Sequence, residues 1–426
     1  MNSNLPLSRV GEKLSGHSGI VELMDDLGQA MGGPDAGSLH MMGGGTPAHI
    51  PAIQKVWRER LAEIIADPAG CDRMLTNYDG PAGNPDFLKA VATCLHDTYG
   101  WDIGPENVAV TTGGQTAFFC LFTLLAGSST ENKLRRILLP LVPEYIGYAD
   151  QGLEPDMFVS HRPLIEVPDH HEFKYRIDFD QLQVTPDIAA ICVSRPTNPS
   201  GNVLTDAEIT HLRDLAHNHE IPLIIDNAYG APFPNAVFTK IHPVWDPGII
   251  LTFSLSKIGL PGTRTGIVVA REDIIRKLAS MTSIVGLANN NIGQTITRPL
   301  LESGKLIEMS NDIINPFYLE KSEQAHAIVR EEFADHFPYS VHKSEGAFFL
   351  WLWFPELPIT SRELYEHLKK RGLLIIPGEY FFYGLDEPWD HTTQCIRITY
   401  SQSEETVREG IRILADELRS LHANQR

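Results

Sequence analysis

Short apolar runs recur through the middle of this chain, and their spacing constrains the fold more than any other feature. Seven of them lie between about residues 107 and 270, separated by helix-like or loop-like segments: NVAVTT, RILLPLV, DMFVS, AAICVS, IPLIID, GIILTFS and GIVVA. Strands that alternate with helices are typical of an α/β fold with a mostly parallel sheet. Only a short loop joins the last two runs, so we expect that pair to be antiparallel and the seven-stranded sheet to be mixed.

The segments on either side of this region predict a second, smaller α/β unit. Helical periodicity dominates from about 271 to 340, and the strand-like runs GAFFLWLWF, LLIIP and CIRITY follow with helical stretches among them. Two amphipathic helical patterns, GIVELMDDLGQAM and AIQKVWRERLAEII, stand in the first hundred residues. We therefore predict an amino-terminal segment over 1–75 that packs with the small domain, a large domain over 76–310 and a carboxy-terminal small domain over 311–426.

Composition and charge exclude several kinds of partner. The 426-residue chain is 42% hydrophobic and 21% charged, as in ordinary globular proteins, and its formal net charge is −19. That charge opposes binding to nucleic acid or to an anionic membrane, so any anionic ligand must be held locally. The sequence shows no signal-peptide pattern, no apolar run of membrane-spanning length and no paired cysteine spacing. We expect a cytoplasmic protein.

Residues with chemical function stand where the predicted strands end. In a parallel sheet the carboxyl ends of the strands share one edge, and ligands bind outside that edge. NVAVTT is followed by Gly113 and Gly114, where backbone N–H groups and a helix amino terminus favour an anion, although a tight turn explains them equally well. RILLPLV is followed by Tyr145 and Tyr148, and an aromatic ring there could stack on a flat ligand or simply pack.

Three further strand ends add polar and charged groups. They are Asn198, Asp226, Tyr229, Ser254 and Lys257, with Arg264 beyond them. Asn198 could begin a plain turn, and Asp226 could cap a helix. Phosphate donors, an aromatic ring, a carboxylate and a lysine together fit pyridoxal 5'-phosphate better than any other common cofactor. Lys257 would then hold the cofactor aldehyde, and a desolvated setting near Arg264 would help its amine lose the proton.

Three motifs in the order RPTNPSGN, DNAYG and SLSKIGLPGTRTG resemble those of the class I aminotransferases of fold type I. The resemblance covers nearly the whole chain. It implies a large domain with a mixed, mostly parallel sheet and a small α/β domain built from the amino- and carboxy-terminal parts. It also implies pyridoxal 5'-phosphate as cofactor, amino acids and 2-oxo acids as substrates, and a homodimer with shared active sites.

The same resemblance implies a role for each candidate residue. Lys257 is similar to the lysine that binds the cofactor and moves the substrate proton, and Asp226 to the carboxylate that keeps the pyridine nitrogen protonated. Tyr229 and Asn198 match the pair that hydrogen-bonds the ring oxygen, with Asn198 also beside the substrate. The remaining matches are Gly114, Gln115, Ser254 and Arg264 around the phosphate, Tyr145 against the ring, Tyr78 reaching the phosphate of the neighbouring subunit, and Arg397 and Gly45 at the substrate.

Two departures from familiar family members bear on these matches. Tyr145 stands where the aspartate enzymes have tryptophan, and the phosphate turn reads Gly-Gly-Gln rather than Ser-Gly-Thr. The stretch SIVGLANNNIGQTI contains no arginine that could pair with a side-chain carboxylate. This absence favours a neutral amino acid over aspartate as substrate.

Other functions remain open on the sequence alone. A β-lyase, a decarboxylase or an aminotransferase for another neutral or aromatic amino acid would share almost every residue named above. A cofactor-binding transcription regulator is disfavoured because no basic DNA-binding module is added, and a dehydrogenase because no G-x-G-x-x-G follows a strand. The spacing of His211, His217 and His219 does not place all three on one helical face, so we predict no metal site there.

Overall fold

The computed structural model describes residues 6–16, 18–32 and 39–424. Its helices are α1 (Arg9–Ser15), α2 (Gly19–Gly32), α3 (Pro51–Ala66), α4 (Pro68–Thr76), α5 (Pro85–Tyr99), α6 (Gly114–Leu125), α7 (Ile146–Ala149), α8 (Asp206–Asn218), α9 (Glu272–Gly286), α10 (Ile292–Glu302), α11 (Lys305–Met309), α12 (Asn315–Phe333), α13 (Ser361–Lys370) and α14 (Glu404–Ala423). Its strands are β1 (His40–Met41), β2 (Val108–Thr111), β3 (Gly127–Ser128), β4 (Leu134–Leu139), β5 (Phe158–Ser160), β6 (Leu164–Asp169), β7 (Glu172–Arg176), β8 (Ile188–Ser194), β9 (Leu223–Asp226), β10 (Ile249–Ser254), β11 (Gly266–Val269), β12 (Ser340–His342), β13 (Phe349–Trp353), β14 (Leu373–Leu374), β15 (Ile376–Pro377) and β16 (Cys395–Thr399).

All seven predicted apolar runs are strands of the central sheet. The order is β2-β11-β10-β9-β8-β4-β3, and β5 also pairs with β4. Strands β4, β5, β8, β9 and β10 are parallel, whereas β11 is antiparallel to β10 and to β2, as the short loop predicted. The mixed α/β fold is thus confirmed. The eighth strand, β3, consists of Gly127–Ser128 and carries no apolar residue that could have indicated it.

Helices cover both faces of this sheet, which explains why its strands read as continuous apolar runs. Every residue of β8 is buried. Its side chains alternate between two cores, with Ile191 and Val193 on one face and Ala190 and Cys192 on the other. The apolar sequence therefore fixes strand position, while the polar residues are left for the strand ends.

A second sheet has the order β15-β16-β13-β12-β7-β6. Its last two strands come from the middle of the chain, where they form a hairpin between β5 and β8, and β7 pairs in parallel with β12. The predicted small unit lacked this hairpin, because β6 is exposed along most of its length and shows no apolar run. The domain boundaries after residues 75 and 310 remain a prediction.

The beginning of the chain packs against its end. Strand β1 pairs in parallel with β14 through His40 and Leu373. Helix α2 lies against α13, where Arg362 donates to Glu22 at 3.0 Å and Lys369 donates to Asp26 at 2.7 Å. In the described part of the chain, no helix combines the length and the apolar character that crossing a bilayer requires.

Candidate active site

A cavity of about 260 Å³ opens at the carboxyl edge of the central sheet. Eleven of the twelve residues that the resemblance to aminotransferases matched to a site line it: Gly45, Gly114, Gln115, Tyr145, Asn198, Asp226, Tyr229, Ser254, Lys257, Arg264 and Arg397. The twelfth, Tyr78, lies outside the cavity and is 82% exposed. Its assignment toward a neighbouring subunit stays a prediction.

The backbone after β10 places Lys257 in this cavity. Ser254 ends the strand and caps a short 3₁₀ turn over Leu255–Ile258, its hydroxyl accepting from the backbone N–H of Ser256 at 3.2 Å. The ammonium of Lys257 donates to the carbonyl of Gly45 at 2.7 Å. A residue of the amino-terminal segment thus meets the strand-end lysine across 212 positions of sequence.

The surroundings of Lys257 weaken its hold on the proton. Loss of solvent inside the cavity, together with the positive charges of Arg397 and Arg264, lowers the pKa of Lys257 to about 8, although the negative charge of Asp226 opposes the fall. About one tenth of the side chain is therefore an uncharged amine at pH 7, far more than for a lysine of ordinary pKa. An amine in that state can act as a nucleophile or accept a proton.

Asp226 ends β9 and receives three hydrogen bonds. One carboxylate oxygen accepts from the backbone N–H of Ala228 at 3.0 Å and from the hydroxyl of Thr252 at 3.3 Å, and the other accepts from the hydroxyl of Tyr148. Desolvation raises the pKa of Asp226, and these donors partly offset the rise. A buried carboxylate of this kind calls for a cationic partner in the cavity.

The two tyrosines of the PEYIGY segment have different positions. Tyr145 lines the cavity, whereas Tyr148 lies behind it and donates its hydroxyl to Asp226. Their rings meet edge to face at 5.2 Å. The sequence offered both as ring-stacking candidates and missed the contact of Tyr148 with the carboxylate, because nothing local distinguishes the two side chains.

One end of the cavity is suited to an anion. Gly113 has φ 83° and precedes α6, and the first two residues of that helix, Gly114 and Gln115, line the cavity with the helix amino terminus. A Cβ on Gly113 would stand 2.3 Å from a guanidinium nitrogen of Arg264, and one on Gly114 would face open space. The two glycines thus let Arg264 and the helix amino terminus approach the same ligand. Gln115 instead donates to the carbonyl of Gly147 at 2.9 Å.

Arg397 enters the cavity from the second sheet, at β16. Its guanidinium donates to the side-chain oxygen of Asn198 and to the carbonyl of Gly43, both at 2.6 Å, and lies 4.2 Å from the ring centre of Phe349. Its Nε has no partner within the described residues. Burial lowers the pKa of Arg397 to about 10, so the group stays charged at neutral pH. It joins both sheets and the amino-terminal segment at one point.

Helix α2 supplies an apolar wall that sequence reasoning did not foresee. Three of its side chains line the cavity: Ile20, Leu23 and Met24. The amphipathic pattern predicted the helix, but the residues that hold it, including Arg362 and Lys369, lie more than 300 positions away. Only the spacing of polar and apolar residues within α2 could have indicated that one face of this helix packs against another element.

The cavity therefore combines the guanidinium groups of Arg264 and Arg397 with two strand-end residues. These are the carboxylate of Asp226 and Lys257, whose amine can lose its proton. Within the described residues, the cations of its lining are Lys257, Arg264 and Arg397. A phosphorylated aromatic ring would find anion donors at Gly114 and Arg264 and a counter-charge at Asp226 for a protonated ring nitrogen. The donor set fits such a group together with a carboxylate substrate.

A family model described as aminotransferase class I and II matches residues 47–414. This chain belongs to that family. A curated relative from Escherichia coli, valine–pyruvate aminotransferase, is 46% identical over 97% of this chain and 98% of its own length. Another curated relative, aromatic-amino-acid aminotransferase 1 of Thermococcus litoralis, is 30% identical over 89% of this aminotransferase and 87% of its own length.

Solved structures of related aminotransferases share the whole fold. A putative amino-acid aminotransferase from Psychrobacter arcticum superposes with a TM-score of 0.95 at 41% identity, covering 99% of this chain and all of its own. Valine–pyruvate aminotransferase from Salmonella typhimurium gives 0.87 at 45% identity, covering 95% of this chain and all of its own. A more distant enzyme from Thermus thermophilus, an α-aminoadipate aminotransferase complexed with N-(5'-phosphopyridoxyl)-L-leucine, gives 0.77 at 19% identity and covers 98% of each chain.

Proposed function

We propose that this aminotransferase uses pyridoxal 5'-phosphate to move an amino group between L-valine and pyruvate, giving 3-methyl-2-oxobutanoate and L-alanine. The Escherichia coli and Salmonella typhimurium relatives that carry the name valine–pyruvate aminotransferase support this substrate pair, at 46% and 45% identity over nearly the whole chain. The cavity supplies the chemical reasons to expect the cofactor and a neutral substrate.

Different residues of the cavity would hold different parts of the cofactor. Arg264, Gly114 and Ser254 would hold its phosphate, and Asp226 would keep its ring nitrogen protonated. When bound, the cofactor supplies a conjugated ring that accepts the electron pair released at the substrate Cα. The hydrogen bond from Tyr148 holds the carboxylate of Asp226 in one orientation, so this group is already positioned for the ring nitrogen before the cofactor binds.

Lys257 is the group that moves a proton. With a pKa lowered to about 8, its amine can take a proton from the Cα of the amino-acid substrate in one half-reaction. In the other half-reaction it can deliver a proton to the Cα of the product amino acid. The carbonyl of Gly45, 2.7 Å from the amine, positions it without adding a charge that would hold the proton. The ring centre of Tyr229 lies 5.2 Å from Nζ of Lys257.

Arg397 would bind the carboxylate that amino acids and 2-oxo acids share. Its planar fork suits two parallel hydrogen bonds to a carboxylate, and its contact with Asn198 sets the plane of that fork. Because donor and acceptor carry the same group, one residue serves both halves of the reaction. Discrimination between substrates then falls to the walls around the side chain.

The set of cations in the cavity lining is the observation that carries the substrate class. Arg397 is needed for the α-carboxylate, Arg264 for the phosphate and Lys257 for the proton, which leaves no described cation for a side-chain carboxylate. Aspartate and glutamate would therefore bury an unpaired charge. The apolar side chains of Ile20, Leu23 and Met24 offer contacts to an aliphatic substrate instead.

Half-reactions at the cofactor test this proposal. Valine, alanine and 2-aminobutyrate should each convert the bound cofactor from its aldehyde to its amine form in stopped-flow absorbance, and pyruvate should return it. These three should differ by about 10- to 200-fold for each methylene, because one methylene changes apolar binding by about 1–3 kcal/mol. Faster reaction with aspartate or an aromatic amino acid would refute the valine–pyruvate pair. Release of ammonia and pyruvate from an amino acid that carries a leaving group at Cβ, in place of amino transfer, would indicate a β-lyase.

We also propose a homodimer with shared active sites that works in the cytoplasm. Tyr78 is 82% exposed in the single chain, and Leu75, Ile284 and Leu287 are also exposed, at 64%, 86% and 61%. Exposed side chains of this size and apolar character favour contact with another chain. Mixing inactive Lys257→Ala chains with cofactor-weak Tyr78→Ala chains should restore activity, because one site of a mixed dimer would be intact. A fully active monomer in light scattering would exclude the dimer.

A further inference from the structure

Three potential metal ligands converge in a surface recess that shares no lining residue with the active-site cavity. His170 and His171 form the turn between β6 and β7, and Asp335 follows α12. One ligand atom from each of these residues lies within 4.8 Å of the other two. We propose that these three side chains, here called the His-His-Asp cluster, bind a divalent transition-metal ion of the zinc class.

The orientation of His171 carries the argument. Its Nδ1 is 3.0 Å from the carbonyl oxygen of Tyr339, and since a carbonyl oxygen can only accept, Nδ1 must hold the proton. The imidazole also stacks on the ring of Tyr339, at 4.0 Å and 9°. In the neutral ring Nε2 is then left with its lone pair directed at the other two members of the cluster. Metal-binding histidines are held in this way by a carbonyl on the far nitrogen.

Two electron-rich atoms face that lone pair. Nε2 of His171 is 3.1 Å from a carboxylate oxygen of Asp335 and 3.1 Å from Nδ1 of His170. A neutral imidazole nitrogen and an ionised carboxylate repel each other unless a proton or a metal cation lies between them, and a bound metal ion would replace that proton. The turn is fixed as well, because the backbone N–H of His170 donates to Asp169 at 2.7 Å. The cluster is thus held together before any ion binds.

The spacing and the donor types select the kind of ion. Four ligands at zinc distances of about 2.0–2.2 Å stand about 3.3–3.6 Å apart in a tetrahedron, slightly more than the two separations of 3.1 Å in the cluster. Two imidazoles and one carboxylate suit zinc and its neighbours, whereas calcium and magnesium prefer oxygen alone. The fourth position would be taken by water or by a neighbour in the recess, which His336, Glu356 and His422 also line.

Calorimetric titration of Zn²⁺ into the chelator-treated holoenzyme, free of any histidine tag, tests the proposal. We expect one ion per chain, and Co²⁺ in its place should give the intense visible bands of a four-coordinate ion. Asp335→Asn and His170→Gln change exposed side chains, so the fold should persist. Each substitution removes a direct ligand and should weaken Zn²⁺ binding more than about 100-fold. Loss of a group that only hydrogen-bonds to a metal ligand already lowers metal affinity about 10- to 100-fold.

His219→Gln is the matched control, because His219 is an exposed histidine outside the recess. It should leave the affinity unchanged. The proposal is overturned if no Zn²⁺ binds, which would mean that His171 and Asp335 form only an ion pair. It is equally overturned if Asp335→Asn and His170→Gln together bind the ion as well as the parent protein does.

Discussion

A buried lysine and a half-buried one show how surroundings decide what a lysine does in this protein. Lys174, in β7, is 3% exposed and donates to Asn202 at 3.0 Å, to the carbonyl of Val203 at 3.2 Å and to the carboxylate of Glu345. Lys257, at the end of β10, has a single carbonyl partner and no carboxylate within salt-bridge distance among the described residues. The charge of Lys174 is balanced by a carboxylate, whereas the amine of Lys257 is available to react.

Burial alone does not separate them. Desolvation lowers the pKa of both side chains, but Glu345 opposes the fall for Lys174, whereas the neighbouring guanidinium of Arg397 deepens it for Lys257. The sign of the neighbouring charge with the largest effect therefore distinguishes the structural lysine from the reactive one. A search for reactive lysines by lowered pKa alone would find both.

The structural lysine also supports the active site. Glu345 accepts from the backbone N–H of Val203 at 3.0 Å as well as from Lys174. The pair thereby ties the loop after β8, which carries Asn198, to the second sheet. Since Asn198 binds Arg397, a buried ion pair outside the cavity helps to orient the group that we propose for substrate binding.

Substitution of Lys257 should produce the largest effect on turnover. Lys257→Ala removes both the covalent anchor of the cofactor and the proton carrier, and we expect kcat to fall by at least about 10⁴-fold, since proton transfer alone contributes about 10²–10⁴. Borohydride treatment of the parent enzyme, followed by peptide mapping, should place the cofactor on Lys257. A label on Lys174 or any other lysine would reverse the roles assigned above.

Substitution of Lys174 should affect stability far more than chemistry. Lys174→Met leaves the carboxylate of Glu345 buried without its cation, which should lower the free energy of unfolding by about 3–5 kcal/mol in urea. The double variant Lys174→Met/Glu345→Leu should recover much of that loss. If the single variant were as stable as the parent, or as inactive as Lys257→Ala, the contrast between the two lysines would not hold.

The pH dependence of cofactor attachment should reveal the lowered pKa of Lys257. Only the uncharged amine attacks the aldehyde, and the amine is protonated below its pKa of about 8. In cofactor-free protein the attachment rate should rise about tenfold per pH unit up to about pH 8 and level off above it. Absorbance of the bound cofactor measures the rate. A continued rise to pH 10 would mean that the amine behaves like an ordinary exposed lysine.

Loss of the hydroxyl of Tyr148 should produce the smallest change. Tyr148→Phe removes one donor to Asp226, so the pKa of that carboxylate should rise and kcat should fall by about tenfold, the lower range for a hydrogen bond to a charged group. Tyr175→Phe, which removes a buried hydroxyl in the second sheet, is the control. The acid limb of the pH–rate profile should move only in Tyr148→Phe, and equal profiles would show that Tyr148 merely packs.

Much of the site could be predicted because strand ends are encoded locally. The apolar runs gave all seven long strands of the central sheet, and the residues that follow them meet at its carboxyl edge. Asp226, Ser254 and Lys257 line one cavity for that reason. The roles of Arg397 and Gly45 came instead from the resemblance to aminotransferases, since neither follows a strand of that sheet.

Tertiary structure alone decided the contacts between distant segments. Hydrophobic periodicity determines which residues form a helix or strand, because that choice depends on neighbours within a few turns. It does not determine which elements meet, because that depends on packing over the whole chain. The chain's own sequence thus predicted α2 and both tyrosines of PEYIGY. Only the folded molecule placed Leu23 on the cavity wall, Tyr148 behind Asp226 and Arg397 against Asn198.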